Sequence, residues 1–242
     1  MKSLLLLCLP YITSFVVFSP LLSAKLMAEE EPSKVIECTF LHWDDVPEEK
    51  YFYRLDEQYH PITFRHGARA GDISLRRMAE FEVYKKRADP AEGELAYEFV
   101  ASTPIPSHID TLILLVIAPD EKKGTGYRLV VIDDSAEFFP RAHFLFVNLT
   151  DKLINVNFAD DIADVPADEM KAMPSKVVKG GGWVPCIMKR KDGTLMYGSR
   201  LFGSYAAREL VLIRPAIREG LDIPRLKFIS QLVPAAAGAL SP

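Results

Sequence analysis

Apolar and polar positions along the chain recur with the short period of β-structure. Phe81-Glu82-Val83-Tyr84-Lys85 alternates, as does Ile154-Asn155-Val156-Asn157-Phe158, and a period of two sends successive side chains to opposite faces of a strand. Thr111–Ala118 (TLILLVIA) is instead continuously apolar. It is too short to span a bilayer and fits a buried strand. The same reasoning predicts strands over Val35–Trp43, Tyr51–Leu55, Ile62–Arg65, Phe81–Lys86, Leu95–Ala101, Thr111–Ala118 and Tyr127–Ile132. It predicts further strands over His143–Asn148, Leu153–Phe158, Trp183–Arg190, Thr194–Leu201, Glu209–Arg214 and Arg225–Leu232. Many are rich in Val, Ile, Phe and Tyr, which pack well on a pleated surface.

Turn formers separate these runs. Lys191-Asp192-Gly193-Thr194 places Asp-Gly between two strands, a strong hairpin signal. No stretch sustains a helical period, although Ala163–Ala172 has room for one or two helical turns. The pattern therefore predicts an all-β fold, an antiparallel β-sandwich with room for two packed β units. DEKKGTG (Asp120–Gly126) divides the chain into an N-terminal unit, 29–122, and a C-terminal unit, 123–234. The alternative is that the flanking strands pair across it as a hairpin. No internal repeat is visible. Residues 235–242 lack a core-forming pattern and read as a disordered tail.

The N-terminus changes the picture of where the protein works. Residues 1–28 combine one early basic residue, Lys2, with a long apolar run and small residues at Ala24 and Ala28, the pattern of a secretory signal peptide. The expected location is the periplasm or the cell exterior, with no membrane span left after cleavage. Without Lys2 and Lys25, the 29 basic residues of the chain fall to 27 against 33 acidic ones. With no sustained basic block, nucleic acid is excluded as a partner. In an oxidising compartment a disulfide between Cys38 and Cys186 is allowed; two buried free thiols are the alternative.

The order LLVIAP, GYRLVVIDDSAEFFPRAHFLFVNLT, a glycine-bearing segment, then DGTLMYGSRLFGSYAARELVLIRP resembles an uncharacterised family of secreted bacterial proteins. VNLT-x-K-L-x-V also looks like the immunoglobulin-like modules of exported domains. The resemblance implies an exported β protein and carries over no catalytic residue.

Candidate chemistry centres on aspartates. Pairs occur at Asp44-Asp45, Asp133-Asp134 and Asp160-Asp161. Carboxylates bind hard cations such as calcium or share acid and base roles in glycoside hydrolysis. The densest patch offers Asp160, Asp161, Asp164 and Asp168 as calcium ligands; the alternative is a solvated acidic loop. Neighbours on a strand point to opposite faces, so Asp133-Asp134-Ser135 reads as a strand end running into a turn, with Phe138 and Phe139 packed beneath.

Lys179-Gly180-Gly181-Gly182 lacks the order of a phosphate loop and reads as a flexible loop, with Trp183 a core or rim aromatic. The histidines (His42, His60, His66, His108, His143) form no metal-ligand spacing. Asn148-Leu149-Thr150 matches a glycosylation acceptor, but its Asn and Thr also suit backbone pairing at a strand end. Trp43, Tyr51, Phe52, Tyr53 and Tyr59 suggest an aromatic face for glycans, or a sandwich core. The reading that emerges is a non-enzymatic, envelope-associated structural or binding module with a protein or glycan partner. A hydrolase using paired carboxylates and a calcium-stabilised adhesion module are the alternatives.

Overall fold

Among the described residues, strand-forming runs and turn chemistry resolve into sixteen strands: β1 Val35–His42, β2 Tyr51–Leu55, β3 Gln58–Pro61, β4 Ile73–Arg76, β5 Glu80–Lys86, β6 Tyr97–Pro104, β7 Thr111–Ile117, β8 Arg128–Asp133, β9 His143–Asn148, β10 Ile154–Phe158, β11 Asp161–Val165, β12 Met170–Pro174, β13 Gly182–Arg190, β14 Leu195–Gly203, β15 Ala207–Arg214 and β16 Arg225–Leu232. The structure is a computed structural model and describes residues 34–43, 47, 49–65, 68–87, 96–119, 124–177, 180–216 and 223–233. Residues 1–28, read above as a signal peptide, lie outside the described residues, as do Asp44-Asp45, His66 and residues 235–242.

The fold is all-β, with two β-sandwiches in succession. The first eight strands form sheets of order β4-β1-β7-β8 and β3-β2-β5-β6. The next eight form β12-β9-β15-β16 and β11-β10-β13-β14. Adding eight to each strand number turns the first pair of sheets into the second. In both modules the first strand runs parallel to the seventh, while every other pairing is antiparallel. Register repeats as well. Ile113 faces Ile132 in the β7–β8 pair, and Leu210 faces Ile229 in the β15–β16 pair. Between these positions the two hairpins are equally long, so RLVVID (Arg128–Asp133) occupies the place of RLKFIS (Arg225–Ser230). The chain is thus an internal duplication, contrary to the sequence reading of no repeat.

Because β7 and β8 pair with each other, Asp120–Gly126 belongs inside the first module. The boundary between modules falls after β8, not between 122 and 123. The stretch Ala163–Ala172, which had room for one or two helical turns, instead carries the end of β11, a turn and the start of β12.

Three apolar layers hold the molecule together. Ile36, Cys38, Phe40, Phe81, Val83, Leu112 and Leu114 fill the first sandwich. Phe144, Phe146, Val156, Phe158, Cys186, Met188 and Val211 fill the second. The third layer lies between the modules. There Leu41, Ile113, Leu115, Ile117 and Ile132 meet Leu145, Val147, Leu149, Leu210, Leu212 and Ile229. The sheets containing β7 and β15 are therefore covered on both faces. This is the physical reason that TLILLVI and ELVLIR do not alternate: a strand with no solvent face has no polar position to repeat. The described residues from Lys34 to Val233 accordingly form one compact unit.

Candidate binding surface

The paired acids of RLVVIDDS part company as strand geometry requires. Asp133 ends β8, and its carboxylate accepts the Ser135 backbone N–H at 2.9 Å. The Ser135 hydroxyl in turn accepts from Phe138 N at 3.2 Å, and Phe139 is fully buried in the intermodular layer. This is the expected turn. Asp134 points the other way, is 5 % exposed, and pairs with Arg69 at 2.7 Å and Arg208 at 3.3 Å. Arg208 lies on β15 of the second module and also donates to the carbonyls of Asp134 and Phe139 and to Gln231. Burial lowers the Arg69 pKa, against the pull of Asp134. Asp134 is thus a buried anchor between modules, a role that its sequence context did not reveal.

The acidic patch disperses. Asp160 and Asp161 face Lys176, Asp164 accepts from Asn155 at 2.9 Å, and Asp168 pairs with Arg128. Among the described residues, no group of three or more His, Cys, Asp or Glu side chains is placed to hold a metal ion. Cys38 and Cys186 are free and buried in the cores of different modules, so the disulfide weighed from the sequence does not join them. Burial raises both thiols to about 12, which keeps them protonated and poorly nucleophilic.

Asn148 is fully buried. Its amide nitrogen donates toward the carbonyls of Lys152, Val165 and Pro166, and its oxygen accepts from Thr150. It therefore joins the end of β9 to the β11–β12 turn as a backbone partner. Of the histidines, His42 packs edge-on against Phe64, His60 stacks on Tyr53, His143 bonds the Arg141 carbonyl, and His108 is exposed.

A compact titratable cluster lies at one end of the first sandwich. Glu49 meets Lys85, and the Tyr51 and Tyr127 hydroxyls each lie 3.2 Å from its carboxylate. The hydrogen bond from Lys85 holds Glu49 below the usual carboxylate range. Burial works downward on Lys85, but Glu49 and Tyr127 together outweigh it and the lysine ends above its ordinary value. Both groups stay charged at neutral pH, unlike a general acid or base poised to exchange a proton there.

The proposed aromatic face is split by the fold. Tyr51 and Tyr53 pack into the first core and Trp43 into the intermodular layer. Phe52 and Tyr59 lie with Tyr84, Tyr97 and Phe99 on the outer sheet, where Tyr59 and Tyr97 stack at 3.9 Å and most rings cover one another. That cluster largely satisfies itself.

The opposite outer sheet, β11-β10-β13-β14, does not. Trp183 is 67 % exposed, so it is no core residue, and it sits directly across from the half-exposed Phe202. Their rings meet edge to face at 5.5 Å. Farther along, Ile162, Asn157, Ile187 and Gly198 form one cross-strand row, with both isoleucines exposed. Arg200 lies opposite Pro185, between this row and the aromatic pair.

The glycine run creates this arrangement. Gly181 has φ +120°, and a Cβ there would lie 2.7 Å from the Gly203 carbonyl oxygen. Only glycine lets the chain enter β13 this close to the end of β14 and present Trp183 outward. The run is a shaped strand entry, with Gly182 already paired to Gly203. Sequence reasoning found Trp183 but lacked its partner Phe202, because pairing across β13–β14 depends on a register shift at Met188/Lys189.

Among the described residues, no helix is long and apolar enough to cross a membrane. No known family model matches the chain, and no curated protein matches it.

Proposed function

We propose that this protein is a non-enzymatic, exported binding module that recognises glycan through the outer face of β11-β10-β13-β14. The observation that carries this reading is the exposed Trp183–Phe202 pair on an open sheet face. An apolar patch of this kind marks an interaction site more often than a bare surface. Its polar neighbours favour a sugar over a purely apolar partner. The Asn157 amide, Arg200 guanidinium, Lys189 ammonium and Trp183 indole N–H have no side-chain partner among the described residues. These groups are mainly donors, so they suit a ligand rich in acceptor oxygens, an acidic polysaccharide above all. The apolar faces of sugar rings stack on indole while their hydroxyls and carboxylates take the hydrogen bonds.

The chain has two tryptophans, one buried and one exposed, so titration with polysaccharide should quench or shift Trp183 fluorescence alone. Trp183→Ala is expected to weaken binding at least tenfold without lowering the melting temperature. The reading fails if neutral and acidic polysaccharides both leave the emission unchanged, or if the variant binds as well as the parent.

A further inference from the structure

The two modules share a topology but differ along one side. In the first, the edge strands β6 and β8 approach each other and close that side of the sandwich. Their counterparts β14 and β16 do not draw together in this way. Val131 of β8 faces Leu114 and packs against the first core. The equivalent Phe228 of β16 faces the core residue Val211 but is 45 % exposed. On the facing sheet Ser199 sits across from the buried Cys186, yet it too is exposed. Side chains on the inner faces of both edge strands of the second module therefore meet solvent.

β14 is nine residues long. It pairs with β13 alone, and among the described residues no other hydrogen bond reaches it. Its outer N–H and C=O groups form a row without backbone partners, a template for another extended strand. The devices that blunt such an edge are nearly absent. β14 has no proline and one charge, Arg200. Its one irregularity lies near its start, where Met196 is the extra residue against Met188 and Lys189.

We propose that β14 pairs antiparallel with β14 of a second copy of this chain, about a two-fold axis at Ser199 normal to the sheet. Such an axis keeps every side chain on its own face, so it must pass beside a residue, not between two. In that register the strand is complementary to itself. Gly198 meets the partner's Arg200, Tyr197 meets the partner's Leu201, and Ser199 meets its own copy. The one charge thus faces a glycine. An axis at Arg200 would set like charges face to face, which opposes pairing. Ser199 is also the middle of β14, so this axis keeps the whole strand in contact. The same two-fold joins the outer faces of both copies into one, carrying two Trp183–Phe202 pairs, and turns each Phe228 toward the junction. A single strand pair is small beside an obligate interface, so the dimer is reversible. The pairing stands without the glycan reading.

Sedimentation equilibrium of the chain from residue 29 on, with no polysaccharide present, tests it. Monomer should give way to dimer as the protein is raised from micromolar to high-micromolar concentration. Gly198→Lys sets an ammonium against the partner's Arg200 and should weaken dimerisation at least tenfold. Gly198→Glu adds similar bulk with the opposite charge and should tighten it several-fold. A Cβ at Gly198 meets only the Leu195 methyls, at 3.8 and 3.9 Å, and melting followed by circular dichroism verifies that both variants fold. Combining Gly198→Lys with Arg200→Glu exchanges the charges and should restore the dimer. A monomer at every concentration overturns the proposal. So does a dimer that the lysine and glutamate variants weaken alike, since strand damage or pairing elsewhere would treat them equally, and so does a double variant that stays as weak as Gly198→Lys.

Discussion

At the scale of single residues, adjacent Asp133 and Asp134 do unrelated work. Asp133 caps a turn that Asn caps equally well, so Asp133→Asn should change stability by no more than about 0.5 kcal/mol. Asp134 is enclosed with two arginines, and its replacement leaves buried guanidinium charge without its counter-charge. Removing one partner of such a pair costs about 3–5 kcal/mol, and Asp134→Asn should approach that figure. Urea midpoints for the two variants decide the matter. If both are equally mild, Asp134 is better hydrated than its 5 % exposure indicates. Sequence marked this pair as a strand end, which is correct for Asp133. It was silent on Asp134, because Arg69 and Arg208 are remote in the chain and only the fold makes them neighbours.

At the scale of elements, legibility followed the solvent face. Tyr51–Leu55, His143–Asn148 and Arg225–Leu232 are strands with the ends that their patterns predict. Errors gather where one face carries charge or small residues. The edge strand β11, Asp161–Val165, exposes Ile162 and Asp164, so its acids suggested a loop. β4, Ile73–Arg76, buries only Leu75 fully and was missed, while the strand expected at Ile62–Arg65 lies just beyond the real β3. The glycines before β13 were read as flexibility, whereas two of them adopt positive φ to make a tight entry. Gly181→Ala would place a methyl group against the Gly203 carbonyl in a backbone region that costs a side chain about 1–3 kcal/mol. It should lower the urea midpoint accordingly and disturb the emission of neighbouring Trp183. Gly71→Ala, with open space and no positive φ, should be neutral or slightly stabilising. Equal effects at both sites would remove the strained-entry account.

At the scale of the whole molecule, the duplication explains why the chain looked like one unit with no repeat. Each module needs only inward and outward apolar positions, and Leu, Ile, Val and Phe satisfy these interchangeably. Topology and register therefore persist while few identities do. The inner sheets have no polar face, so neither module is complete without the other. Burying an aliphatic side chain contributes about 1.5–3 kcal/mol. Half of the intermodular Leu, Ile and Val residues thus match the about 5–15 kcal/mol that keeps a typical domain folded. Unfolding should consequently be a single transition. Trp43 lies in the junction, so in a Trp183→Phe background its fluorescence reports the junction while circular dichroism reports every strand. The two urea curves should coincide. Leu212→Asp puts a charge into that layer and should move the Trp43 transition to lower urea than the loss of strand signal. Were the parent protein itself to lose Trp43 signal first, the modules would be independently stable, and the continuous apolar character of β7 and β15 would need a cause other than shared burial.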